Sequence, residues 1–224
     1  LLLNACGEQN ESIPDQDFNA GWLFAKGDMP NAKQVDFDDS EWRKLDLPHD
    51  WAVEGPFDRK NNARTGGLPV HGKAWYRKHF VMNAEQKGKQ ISIEFDGTMN
   101  NSKVWINGQY LGERPFGYIG FEFDMTPYIK FGQENVIAVE LSPEDLAARW
   151  YPGAGIYRKV TLKINEPLHV GQWGTYITTP EITDESAKVN IETTLNNPKR
   201  EEGKFTLITT IRELESKAEV ASVE

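Results

Sequence analysis

Polar and apolar residues alternate through Ser102-Lys-Val-Trp-Ile106 and Gln109-Tyr-Leu111, on either side of Asn107-Gly108. An Asn-Gly pair tolerates positive φ at both central turn positions, so this stretch predicts a two-stranded hairpin. Val104 and Ile106 fall on one face and Lys103, Trp105 and Asn107 on the other, so Trp105 is expected to cover a second surface. Short runs rich in aromatic and β-branched residues predict further strands at Trp75 to Met82, Gln90 to Phe95, Gly120 to Phe123, Asn135 to Leu141 and Ile156 to Ile164. Clusters of Gly, Pro, Asn and Asp separate them, as in antiparallel sandwiches. The one helix expected is Pro143 to Ala148, opening on a proline and two acids.

The longest stretch without strand character, Pro48 to Gly72, holds Pro48-His-Asp-Trp51, Gly55-Pro56 and Gly66-Gly67. Trp51 and Phe57 are expected to anchor it as an ordered surface loop. After Glu166-Pro167 the character changes, and Leu168 to Thr179, Ala187 to Leu195 and Lys204 to Ile211 predict three more strands. Too few residues follow for the roughly seven strands of an immunoglobulin-like sandwich. The expectation is therefore all-β: a tether over 1–17, a sandwich over 18–166, and over 167–224 a partial second sandwich that stops mid-domain.

Charge and composition narrow the partners. The chain has 34 acidic against 25 basic residues and a net charge of -9, which opposes binding to a phosphate backbone, so nucleic acid is not an expected partner. One cysteine cannot close an internal disulfide, and no histidine has a neighbour at zinc-ligand spacing, so no structural metal is indicated. The start, Leu1-Leu-Leu-Asn-Ala-Cys6-Gly, resembles the end of a lipoprotein leader. In that reading Cys6 carries a lipid and holds the protein at a bacterial cell envelope; Asn4 departs from the usual small or apolar residue. Membrane contact is expected only through that anchor, since no other stretch approaches the roughly 18 apolar residues that span a bilayer.

Arg149-Trp-Tyr-Pro-Gly-Ala-Gly-Ile-Tyr-Arg158 is a Trp/Tyr-rich loop turning at two glycines. Aromatic faces beside a guanidinium suit a polyhydroxylated ring, whose C–H face stacks while its hydroxyls take polar partners. Among the seven tryptophans, Trp22, Trp42, Trp75 and Trp105 fit packing roles, whereas Trp51, Trp150 and Tyr151, in loops, are the better sugar platforms. Asp50, Asp96, Glu113, Glu122, Asp124 and Glu140 read as solvated faces and turns; nothing in their spacing brings two to a common pocket.

Four blocks in order resemble the amino-terminal sugar-binding domain of glycoside hydrolase family 2. They are Asp39-Ser-Glu-Trp-Arg43 with Leu47-Pro-His-Asp-Trp51; Ala74-Trp-Tyr-Arg-Lys78; Phe95-Asp-Gly-Thr-Met-Asn-Asn-Ser102 with Val104-Trp-Ile-Asn-Gly108; and Arg149 to Arg158. The resemblance covers about Phe18 to Ile164 and is closest to bacterial β-galactosidases. It implies a jelly-roll (galactose-binding-like) sandwich followed by the start of an immunoglobulin-like domain, with both catalytic glutamates on a barrel outside this sequence.

The implied activity is retaining hydrolysis of terminal β-galactosides by two carboxylates about 5–5.5 Å apart, with this chain inactive alone and lining the rim of the pocket. Rim candidates are Asn100, Asn101, Arg149, Trp150 and Tyr151. Met99 stands where some relatives place a sugar-contacting Asn, and Arg149 where some have an Asp, so neither contact transfers intact. Bracing the aromatic loop is an equal role for Asn101 and Arg149. No cofactor is expected within this sequence; a sodium or magnesium ion would belong to the intact pocket. The implied partners are β-galactoside oligosaccharides, with self-association left open. A β-glucuronidase or β-mannosidase, a free-standing carbohydrate-binding module, and a surface protein of serial sandwiches are the alternatives.

Overall fold

The computed structural model describes residues 16–143, 151–198, 202 and 205–224. Ten strands build the first part: β1 (Gln16–Asp17), β2 (Trp22–Lys26), β3 (Arg43–Leu45), β4 (Ala74–Val81), β5 (Gln90–Phe95), β6 (Ser102–Ile106), β7 (Gln109–Arg114), β8 (Phe121–Asp124), β9 (Glu134–Leu141) and β10 (Val160–Asn165). They form a six-stranded sheet in the order β3-β2-β4-β9-β6-β7 and a four-stranded sheet in the order β1-β10-β5-β8. All pairings are antiparallel.

The core lies between the sheets because alternate residues of each strand point inward. Ile91, Ile93 and Phe95 of β5 meet Val104, Ile106, Ile137, Val139 and Leu141 of the larger sheet. The hairpin turns at Asn107-Gly108, with Asn107 at φ 51°, and Val104 and Ile106 enter this core as the alternation predicts. Trp105 faces outward, where it stacks on Trp75 at 5.4 Å in a second cluster with Ala32 and Ala138, covered by Met29, Phe37 and Trp42. The covering segment is fastened by fully buried Arg77, whose Nε donates to Asp39 Oδ2 at 2.5 Å and whose Nη1 donates to the carbonyls of Ala32 and Gln34.

Three expectations are corrected. The last strand of the sandwich begins at Val160 and not at Ile156, because Gly155 and Ile156 are committed to pairing with two other loops. Among the described residues of the Lys204 to Ile211 run, a strand forms only at Thr209–Arg212. Phe57 does not anchor the long loop; it is 76% exposed, and a single 3-10 turn at Ala63–Thr65 supplies the local order. The helix expected from Pro143 to Ala148 lies outside the described residues apart from Pro143.

Beyond Glu166 the chain forms two hairpins: β11 (His169–Ile182) with β12 (Ala187–Asn196), and β13 (Thr209–Arg212) with β14 (Glu219–Val223). A cleft of about 470 Å³ separates them, lined by Val189, Ile191, Ile211 and Val223. Tyr176, Ile177, Ile182 and Val220 are more than half exposed. With so little apolar area covering these amides, hydrogen exchange from β11 to β14 is expected to be at least roughly 100-fold faster than from β4, β5 and β9. Equal protection, measured by mass spectrometry on the 224-residue chain, would contradict it.

Candidate functional site

Four loops meet at one end of the sandwich, and the 154–156 segment is the seam between them. On one side His49 and Trp51 donate their backbone N–H groups to the carbonyls of Ile156 (2.8 Å) and Ala154 (2.9 Å). On the other, Met99 and Gly155 exchange two backbone hydrogen bonds, at 2.8 and 3.0 Å. The end of β9 joins through Ser142, whose N–H donates to the Asn100 carbonyl at 3.0 Å and whose own carbonyl accepts from Asn101 Nδ2 at 3.1 Å. The β7–β8 loop joins through Tyr157, whose hydroxyl donates to the Gly117 carbonyl at 2.8 Å, and through the Asn101 N–H to the Pro115 carbonyl at 3.1 Å. Paired backbone groups on both sides make these loops one rigid unit.

Asp50 is the polar centre of that unit. Its carboxylate accepts from the Tyr151 hydroxyl at 2.5 Å and from the backbone N–H groups of Ala52 at 3.0 Å and Ala154 at 3.1 Å. Burial and the adjacent Asp50 carboxylate both push the Tyr151 hydroxyl up from its ordinary pKa, so it stays protonated and donating. Beneath it, burial lowers the His49 imidazole pKa despite the nearby Glu54. Neutral His49 has one donor; its Nε2–H therefore faces Glu54 Oε1 at 3.2 Å and its Nδ1 accepts from the Tyr76 hydroxyl at 2.6 Å. Glu54 is itself held by both Nη atoms of Arg43, at 2.7 and 2.8 Å.

Asn100 and Asn101 come to this end side by side, both half-buried. The Asn101 amide is occupied in bracing Ser142, whereas the Asn100 side chain has no hydrogen bond beyond a 3.4 Å contact from Asn101 among the described residues. Tyr151 is half-buried, with its hydroxyl committed to Asp50 and its ring packed against the core. Arg149, Trp150 and Cys6 lie outside the described residues. Trp51 is no platform: it is 2% exposed and stacks on Phe24 at 5.9 Å. Sequence reasoning missed Asp50 as the hub and Phe116 and Tyr118, which are 56% and 49% exposed on the β7–β8 loop. The Asp50–Tyr151 pair carries no local spacing signal, since about 100 residues separate the two.

Two carboxylates do share a pocket. Strand register sets Lys103 opposite both Glu140 and Glu113, and these three, with Lys73, line a polar hollow of about 330 Å³ beside Asn101. Glu140 is 4.0 Å from Lys103 Nζ. Alternating signs across neighbouring strands make this a cross-strand charge ladder on the outer face. No cluster of three or more potential metal ligands occurs among the described residues.

Residues 8–167 match the family model described as "Glycosyl hydrolases family 2, sugar binding domain"; the chain belongs to this family. It is 46% identical over 220 residues to the β-galactosidase BoGH2A of Bacteroides ovatus, covering 96% of this chain and 26% of that protein. A β-glucuronidase of Formosa agariphila is 33% identical over 218 residues, covering 87% of this chain and 22% of the relative. Among solved structures, a glycosyl hydrolase family 2 member from Bacteroides cellulosilyticus superposes with a TM-score of 0.86 at 40% identity, covering 94% of this chain and 28% of the other. The chain thus spans about a quarter of the length of the relatives it matches.

Proposed function

We propose that this chain is the amino-terminal, non-catalytic part of a retaining glycosidase that removes terminal β-galactosyl residues. It supplies scaffold and pocket rim to a barrel bearing the two catalytic carboxylates. The observation that carries the reading is the 46% identity along almost the whole chain to a β-galactosidase of which it spans 26%. In such an enzyme one carboxylate attacks the anomeric carbon and the other donates, then removes, a proton. In this reading the unit seamed by residues 154–156 presents Asn100 and Tyr151 to the sugar, with Asp50 holding the Tyr151 hydroxyl and Asn101 bracing Ser142; Arg149 and Trp150 are the further rim candidates. Rigid hydrogen-bonded loops suit this task, because a rim that is already ordered loses little entropy when substrate arrives.

A β-glucuronidase is the second reading, favoured by relatives of that name at 33% and 39% identity. One assay on chromogenic β-galactoside and β-glucuronide separates them. The complete gene product is expected to turn over the galactoside, and the 224-residue chain neither substrate. Turnover by the chain alone would contradict the scaffold role, and glucuronide preference by the whole protein would select the second reading.

The same proposal includes a lipid on Cys6 that holds the enzyme at the cell envelope, and a sodium or magnesium ion only in the intact pocket. Labelling of the complete gene product by a fatty-acid probe, abolished in Cys6→Ser, is the expected result for the anchor; undiminished labelling would remove it.

A further inference from the structure

The crease between the outer face of the four-stranded sheet and the β11–β12 hairpin is built around an outward-facing tryptophan. Strand register on β11 breaks between Val170, opposite Leu195, and Thr175, opposite Thr193, so residues 171–174 face Thr194 alone. This wide bulge requires glycine at 174, where a Cβ would sit 2.6 Å from the Gly171 carbonyl oxygen and 2.8 Å from that of Thr194. Within it Trp173 takes φ 51° and is 74% exposed. Its neighbour Gln172 turns the other way and donates Nε2 to Glu94 Oε1 of β5 at 2.5 Å, fixing the bulge against the sandwich. Bulges commonly re-aim a side chain, and here the re-aimed one is a large ring at the mouth of a hollow.

That hollow, about 230 Å³, is walled by Trp173, Glu122, Lys163, Asn165 and His169. A second hollow of about 440 Å³ shares Glu122 and His169 and continues past Asp124 to Leu195 and Asn196. Together they form a groove with one aromatic face and a polar floor. His169 Nδ1–H donates to the Glu166 carbonyl at 2.7 Å, which leaves Nε2 as the ring's second polar atom. Asn165 makes no side-chain hydrogen bond among the described residues, so it offers both a donor and an acceptor. Lys163 Nζ lies 2.6 Å from Glu94 and 3.4 Å from Glu122, leaving the Glu122 carboxylate loosely engaged.

We propose that this crease is a carbohydrate-binding site for a neutral glycan chain, separate from the pocket rim. One sugar ring lies its C–H face on Trp173, and its hydroxyls, each donor and acceptor at once, pair with Asn165, His169 Nε2 and Glu122. The following ring extends towards Asn196. Glu122 and Asp124 outnumber Lys163 in the lining of the groove, and Lys163 is paired with Glu94, which disfavours uronic acids and sulfated chains. The site would hold a polymer near the enzyme without taking part in bond cleavage, so it stands or falls independently of the proposed hydrolysis.

The test is affinity electrophoresis of the 224-residue chain in gels cast with soluble β-1,4-galactan, galactomannan or hydroxyethylcellulose, after circular dichroism has shown each variant folded like the parent. Retardation of the parent in at least one glycan is expected. Trp173→Ala should weaken binding roughly tenfold, as loss of one aromatic stacking contact would; Trp173→Phe should restore part of it, and Glu122→Gln should weaken it less. No retardation of the parent in any gel would overturn the proposal. So would retardation unchanged in both Trp173→Ala and Glu122→Gln, which would place binding elsewhere. Because none of these outcomes involves turnover, failure here leaves the hydrolase reading untouched, and the converse also holds.

Discussion

Gly155→Ala is expected to destabilise the protein by at least about 3 kcal/mol, the range of severe backbone and packing conflicts. A Cβ at this position would lie 2.2 Å from the His49 carbonyl oxygen and 2.8 Å from the Tyr76 hydroxyl, and the residue sits at φ +145°. Neither neighbour can give way cheaply. His49 is fixed by its own backbone bond to Ile156, and Tyr76 is fully buried and hydrogen-bonded to the His49 ring. Relief therefore means pulling Gly155 off Met99, which opens the seam joining all four loops. Gly88→Ala serves as the comparison: it also has positive φ but nothing within 4 Å, and should cost only about 1 kcal/mol. Denaturant midpoints of the two variants check the contrast. Similar small losses for both would mean that the seam is not tightly packed.

Asp39→Ala should cost about 3–5 kcal/mol, because it leaves a buried guanidinium without its counter-charge. The Arg77 side chain is fully buried and that of Asp39 is 12% exposed, with His79 Nε2 adding a 2.9 Å contact to the same carboxylate oxygen. Burial alone would raise the Asp39 carboxyl, but hydrogen bonds from Arg77 and His79 outweigh it and hold its pKa below the usual carboxylate range. A carboxyl depressed in the folded state binds fewer protons folded than unfolded. Its stabilisation is therefore complete above about pH 4 and is lost as pH falls through the folded value. The variant should show a correspondingly flatter decline of stability below that pH. A double variant, Asp39→Ala with Arg77→Met, should lose less than the two single losses added together, since it removes the stranded charge. Strict additivity, measured by urea titration, would contradict the pair as an energetic unit.

Where local pattern decides the outcome, the fold is legible in the sequence. The alternation through Ser102 to Ile106 and the Asn107-Gly108 turn specify both the hairpin and the two-sided burial, with Trp105 on a second cluster. Trp22-Leu-Phe-Ala-Lys26 escapes because a continuous apolar run does not distinguish strand from buried helix; only the structure shows Trp22 and Phe24 pointing inward. Ile156 looks like a strand start by composition, yet its carbonyl serves His49, a partner about a hundred residues earlier. The site follows the same rule. Asn100, Asn101 and Tyr151 are visible as polar and aromatic loop residues, whereas Asp50 is joined to Tyr151 and Ala154 only through contacts distant in sequence. Trp51 departs from its expected role because a loop residue is ordinarily exposed, and here the loop's backbone pairing with Ala154 accompanies a ring buried in the core.

The central claim is that the loop end of this sandwich borders the sugar pocket of a larger glycosidase. A crystal structure of the complete gene product with bound galactose tests it most directly. The account predicts a sugar within hydrogen-bonding or stacking distance of Asn100, Arg149, Trp150 or Tyr151, with the Asp50–Tyr151 and Asn101–Ser142 hydrogen bonds kept as in the isolated chain. A galactose site formed wholly by other parts of the protein, with the seam around Gly155 facing solvent or an unrelated surface, would contradict it.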